Sequence, residues 1–185
     1  MKRAIRSMAA LAAVLVALPA AAHPGHEGST GLVAGLLHPL TGLDHLLALL
    51  AVGLWSRQQR RGAVLPPVFL VLMALGASCA GLLDKGMLPA LEMSIAATVL
   101  LLGALAAAAL HMPPQLAVAL VGVCGILHGA AHGRELAGIG SGAGFLAASA
   151  LVMVLGMVVQ PDEERRRMAG AAIAAAGLCL LAGVV

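Results

Sequence analysis

Seven ionisable side chains stand in or beside long apolar runs of this sequence: His38, Asp44, His45, Glu92, His128, His132 and Glu135. At membrane depth such a group costs several kcal/mol unless it is paired, hydrated or bound to something. Imidazole and carboxylate together suit divalent first-row metals such as nickel, cobalt, zinc and copper, and spacing alone selects none of them. The first group lies in Leu37-His38-Pro39-Leu40-Thr41-Gly42-Leu43-Asp44-His45. His38 and His45 are two helical turns apart, so a regular helix puts them on one face. Pro39 bends such a helix and Gly42 loosens it, freeing backbone carbonyls near the site. In the second group, His128 and His132 form an i,i+4 pair and Glu135 follows at i+3. All three can face one way, and Gly129 and Gly133 would admit a neighbouring helix close to that face.

Each group also has a plainer explanation. His38, Asp44 and His45 would serve as interhelical hydrogen-bonding glue, although three such groups in one segment exceed what glue requires. His128, His132 and Glu135 would form a solvated helix end. Glu92 follows Leu88-Pro89-Ala90-Leu91 closely enough to snorkel outward rather than line a path. His23 and His26 are a further candidate pair. If the chain is cut before His23, that residue offers an α-amine beside its imidazole, and the alternative is a plain polar terminus.

These residues are positioned by apolar segments expected near 32–55, 64–83, 88–110, 115–134, 138–159 and 168–185. Residues 1–22 have a basic start, a short apolar stretch and Ala20-Ala21-Ala22, the pattern of a cleaved signal peptide. The expectation is an all-α polytopic membrane bundle of about six transmembrane helices, with 23–185 as one domain. Cleavage puts the mature N-terminus outside, and alternation then places Arg57, Arg60, Arg61, Arg165, Arg166 and Arg167 in the cytoplasm. Only Lys85 and Arg134 fall outside, as the positive-inside rule requires. On this reading Asp44 and His45 lie near the middle of the first span. The other polar groups lie towards its extracytoplasmic side.

Only 10% of residues are charged, against about 25% in soluble domains. Most of the surface must therefore face lipid. Without Lys2, Arg3 and Arg6 the basic and acidic residues balance, and no basic patch with interleaved aromatics suggests nucleic-acid binding. Cys79, Cys124 and Cys179 lie singly in apolar runs and read as small buried hydrophobes rather than thiolate ligands.

Two motifs resemble those of the HupE/UreJ proteins, nickel permeases associated with hydrogenase and urease systems. The first-span signature is met by His38, Pro39, Gly42, Asp44, His45, Val52 and Gly53, with Leu49 in place of Met and Ser56 where Ala is usual. A second pattern is met by His128, Gly129, Ala131, His132, Gly133 and Glu135, with Leu127 replacing an aromatic residue. The Met position removes one soft donor, while every His and carboxylate position is kept.

The resemblance implies uptake of Ni2+, or Co2+, across a bacterial inner membrane towards the cytoplasm. The metal would be cargo, with no tightly bound cofactor, and a homo-oligomer is compatible with this reading. No phosphate-binding loop is present, so transport would run on gradients or the membrane potential. An enzyme is not expected. The alternatives are an intramembrane metal-dependent hydrolase, which would use the same His and Asp residues to hold zinc and activate water, and a metal-sensing accessory protein.

Overall fold

The computed structural model describes residues 31–136, 138–158 and 162–183, apart from the side chain of Lys85. The expected signal peptide, and with it His23 and His26, lies outside the described residues. Seven α-helices and no strand occur among the described residues: α1 (Leu32–Thr41), α2 (Leu43–Gln58), α3 (Leu65–Cys79), α4 (Leu88–Ala108), α5 (Pro114–His132), α6 (Gly138–Val158) and α7 (Glu163–Leu181). Single 3-10 turns flank α3 at Gly62–Val64 and Ala80–Leu82.

Proline marks three of the helix starts. α3, α4 and α5 each carry Pro in their first turn, where a missing N–H costs nothing and the fixed φ already suits a helix. α7 begins instead on Asp162, whose Oδ1 accepts the backbone N–H of Arg165 at 2.8 Å.

By length and composition, four stretches can cross a membrane: Gly62–Leu82, Leu88–Ala108, Pro114–His132 and Gly138–Val158. The pair α1 and α2 makes a fifth if taken as one broken span. Six were expected, and two differences account for the count. First, 32–55 is not one continuous helix. α1 and α2 meet at 82°, with Gly42 extended between them at φ −86°, ψ 113°. Pro39, inside α1, has no N–H to give to the preceding turn, and Gly42 tolerates the break. Second, α7 opens on five charged residues, Glu163 to Arg167. Residues 168–181 then supply roughly 20 Å of apolar helix at 1.5 Å per residue, against a hydrocarbon core of about 30 Å.

α2 is the centre of the bundle. Leu47, Ala48, Leu49, Ala51, Val52, Leu54 and Trp55 are all buried, so this helix is enclosed on every side rather than amphipathic. α6 and α4 pack against it, and α3 pairs with α5, α1 with α6, and α4 with α7. The outer helices turn Val71, Leu75, Met93, Val123, Leu151 and other large apolar side chains outward, the arrangement of a lipid-facing surface.

Small residues set the approach between helices. A side chain on Gly129 would overlap the backbone of Met73, and one on Gly133 would overlap that of Ala77. α3 therefore approaches α5 on its glycine face, whereas His128 and His132 face α4 and α2. Cys124 is buried as expected, whereas Cys79 and Cys179 are exposed; they sit on the outward faces of α3 and α7.

Candidate metal centre

The break at Gly42 builds the first half of the centre. Asp44 stands in the first turn of α2, where the helix dipole favours a carboxylate. Its Oδ1 accepts the backbone N–H of His45 at 2.7 Å, which leaves Oδ2 to face inward. Across the break, Thr41 Oγ1 donates to the His38 carbonyl at 3.0 Å. His38 and His45 thus approach because the chain turns, not because they share a helical face. Their ring centroids lie 6.3 Å apart. The expectation of a single continuous helix is corrected accordingly: Asp44 and His45 lie at the start of α2, just after the break.

The C-terminal turns of α5 supply the second half. His132 Nε2 lies 3.5 Å from Asp44 Oδ2, and its Nδ1 lies 3.3 Å from Glu135 Oε2. The same carboxylate oxygen is 3.3 Å from His38 Nε2. One turn deeper, His128 Nδ1 faces His45 Nδ1 at 3.5 Å, and His128 Nε2 faces Thr98 Oγ1 of α4 at 2.8 Å. Six of the residues singled out from the sequence therefore meet in one cluster. Glu92 is exposed on α4 and is not among those that come together.

Burial is graded through the cluster. Side-chain exposure falls from 39% at Glu135 and 23% at His38 to 18% at Asp44 and 13% at His132, while His45 and His128 are fully buried. Phe145 packs on His38 and His45, at centroid distances of 5.5 and 5.0 Å, and Phe69 packs on His128 at 5.8 Å. These rings wall the deep end with apolar surface.

Buried His45 Nε2 has no hydrogen-bond partner, and His132 Nε2 has only the Asp44 carboxylate, at 3.5 Å. Leaving a buried nitrogen unpaired costs about 1–3 kcal/mol, so these two beside a carboxylate fit a site shaped for a cation. Two donor sets have ligating atoms within 4.8 Å of one another: His38, His132 and Glu135, and Asp44, His45 and His132. The two sets share His132. Their nitrogen and carboxylate donors match a divalent first-row metal and offer no thiolate.

Thr98, Phe69 and Phe145 were not legible as parts of the site. A threonine or phenylalanine in an apolar helix carries no spacing signal.

The opposite end of α2 is built differently. Trp55 Nε1 donates to the Leu110 carbonyl at 2.9 Å, Gln58 Nε2 to Ala106 at 2.9 Å, and Gln59 Nε2 to Leu110 at 2.8 Å. Gln59 Oε1 accepts from Met112 N at 3.0 Å, and Arg167 Nε donates to Ala107 at 2.9 Å. Arg57, Arg60 and Arg61 thus share one end of the bundle with Arg165, Arg166 and Arg167.

Fold and site together define a multi-pass helical membrane protein with an imidazole–carboxylate centre at one end. A family model described as HupE / UreJ protein matches residues 11–180. Protein HupE of Rhizobium leguminosarum bv. viciae is 40% identical over 182 residues, covering 91% of this chain and 94% of that protein. The chain belongs to the HupE/UreJ family. No solved structure matches it.

Proposed function

We propose that this protein is a secondary permease that carries Ni2+, or Co2+, from the periplasm to the cytoplasm across the bacterial inner membrane. The observation that carries the reading is the pair of donor sets sharing His132, one shallow and one deep. A cation held first by His38, His132 and Glu135 would pass round the His132 ring, whose Nδ1 faces Glu135 and whose Nε2 faces Asp44, to reach Asp44 and His45. A mixed set of imidazole, carboxylate and retained water binds weakly enough to let go, as a conduction pathway requires. The HupE/UreJ resemblance supports nickel or cobalt as the cargo.

Orientation follows from charge. The end carrying Arg57, Arg60, Arg61 and Arg165 to Arg167 belongs in the cytoplasm by the positive-inside rule, which turns Glu135 and His38 towards the periplasm. A periplasm-only reporter fused at Gly86 should be active and one at Gln59 inactive; the reverse pattern would invert the direction of transport.

The function itself is tested by uptake of radioactive nickel into cells expressing the protein, with other divalent ions as competitors. Saturable uptake, competed by Co2+ but not by Mg2+, is expected. Uptake equal to that of cells lacking the protein would remove the permease reading.

A further inference from the structure

Thr98 sits midway along α4 and is buried. Its hydroxyl lies 2.7 Å from the Ile95 carbonyl and 2.8 Å from Nε2 of His128. A hydroxyl has one proton to give and lone pairs with which to accept. A carbonyl only accepts, so the Thr98 proton goes to Ile95, and towards His128 the Thr98 oxygen is an acceptor. His128 therefore carries its proton on Nε2. In its neutral form it presents a lone pair at Nδ1, which faces Nδ1 of His45 at 3.5 Å. Two facing lone pairs repel, so His45 carries its own proton on Nδ1. Its Nε2 is then a bare lone pair. That atom is the buried nitrogen of His45 with no hydrogen-bond partner, on a residue grouped with Asp44 and His132.

We propose that Thr98 is a positioning residue which, acting through His128, locks His45 in the tautomer whose Nε2 lone pair is free for a dication. His128 is then a link in a chain rather than a ligand. The inference rests on the reading that Asp44, His45 and His132 hold the cargo. His132 is supported likewise by Glu135 Oε2 at Nδ1, but its Nε2 faces Asp44 Oδ2, where a dication would take the place of a proton. Partners on the far nitrogen commonly fix the ligating tautomer of a histidine in this way. The two supports differ in replaceability. Glu135 is exposed, so water can take its place, whereas nothing replaces a buried Thr98 hydroxyl. Without it the His128 Nε2–H is unpaired, and moving that proton to Nδ1 reverses His45.

The test is the nitrogen-15 spectrum of full-length, metal-free protein in lipid with labelled histidine, the His45 signals being assigned by difference from His45→Gln and those of His128 from His128→Gln. The wild type should show His45 protonated at Nδ1 and His128 at Nε2. Thr98→Val should reverse both and weaken Ni2+ binding about 10- to 100-fold, and Thr98→Ser, which keeps the hydroxyl, should restore both. Wild-type His45 protonated at Nε2 would overturn the proposal without any variant having to fold. Wild-type tautomers and Ni2+ affinity in Thr98→Val would overturn it as well. A wild type that binds no Ni2+ yet shows His45 protonated at Nδ1 would sink the metal reading while supporting the lock.

Discussion

The two ends of α2 use polar side chains in opposite ways. At the arginine-rich end, the indole of Trp55 and the amides of Gln58 and Gln59 all donate to backbone carbonyls freed where α4 ends, at Ala106 and Leu110. Ala106 O also accepts from Ala109 N; the side-chain donors add to these carbonyls at the helix end and tie two helices together. At the other end, the charged and imidazole groups face one another: His38 and His132 face Glu135, and His132 also faces Asp44. His45 Nε2 has no hydrogen-bond partner there, and Gln58 Oε1 has none at the arginine-rich end. Polar groups that only hold helices together find carbonyls. Imidazoles and carboxylates that face one another rather than the backbone are the donor set a divalent cation would use.

The largest effects should come from the deep donor set. Asp44→Asn keeps shape and hydrogen-bonding capacity but removes the charge that attracts a cation, and His45→Ala removes a donor. Both should reduce nickel uptake to background, normalised to protein present in the membrane. Normal uptake by Asp44→Asn would contradict a central site, and its failure to accumulate would shift the role of Asp44 towards holding the helices together. An intermediate effect is expected for Glu135→Gln, which removes a donor from the shallow set and only a support of His132 from the deep one: uptake should fall at limiting metal and recover at saturation. A uniform loss at all concentrations would place Glu135 in the deep set.

Acidification should act in the same range. A protonated imidazole cannot ligate, so protons compete with the metal and uptake should fall on acidification; uptake independent of pH would contradict imidazole ligation. The smallest effect belongs to the opposite end. Gln59→Ala should cost about 1 kcal/mol, seen as a lower melting midpoint in detergent, and leave uptake unchanged. A transport defect in that variant would erase the contrast between the two ends.

Much of this was legible in the sequence, for identifiable reasons. Residues 88–110, 115–134 and 138–159 read as spans because Pro, Gly and charged residues punctuate long apolar runs, and α4, α5 and α6 begin and end within about two residues of them. His128 and His132 converge as their helical spacing dictates, and Glu135 joins them from the turn that follows α5. The sharp turn just before Asp44 and His45 was not legible. Pro39 and Gly42 signalled a weak point, but how far a chain turns there depends on what packs against it, here α6 on both α1 and α2. Thr98 was hidden for a related reason: only the crossing of α4 and α5 places its hydroxyl against His128. Glu92, by contrast, carried a charge that drew attention and stands exposed, apart from the cluster.

The central claim is that the deep imidazole–carboxylate set binds the cation directly. X-ray absorption at the nickel edge of the Ni2+-loaded protein reads this without relying on transport. The account predicts imidazole scattering from two histidines together with oxygen donors, one imidazole being lost in His45→Ala. A spectrum with oxygen donors alone, or one unchanged in His45→Ala, would contradict it.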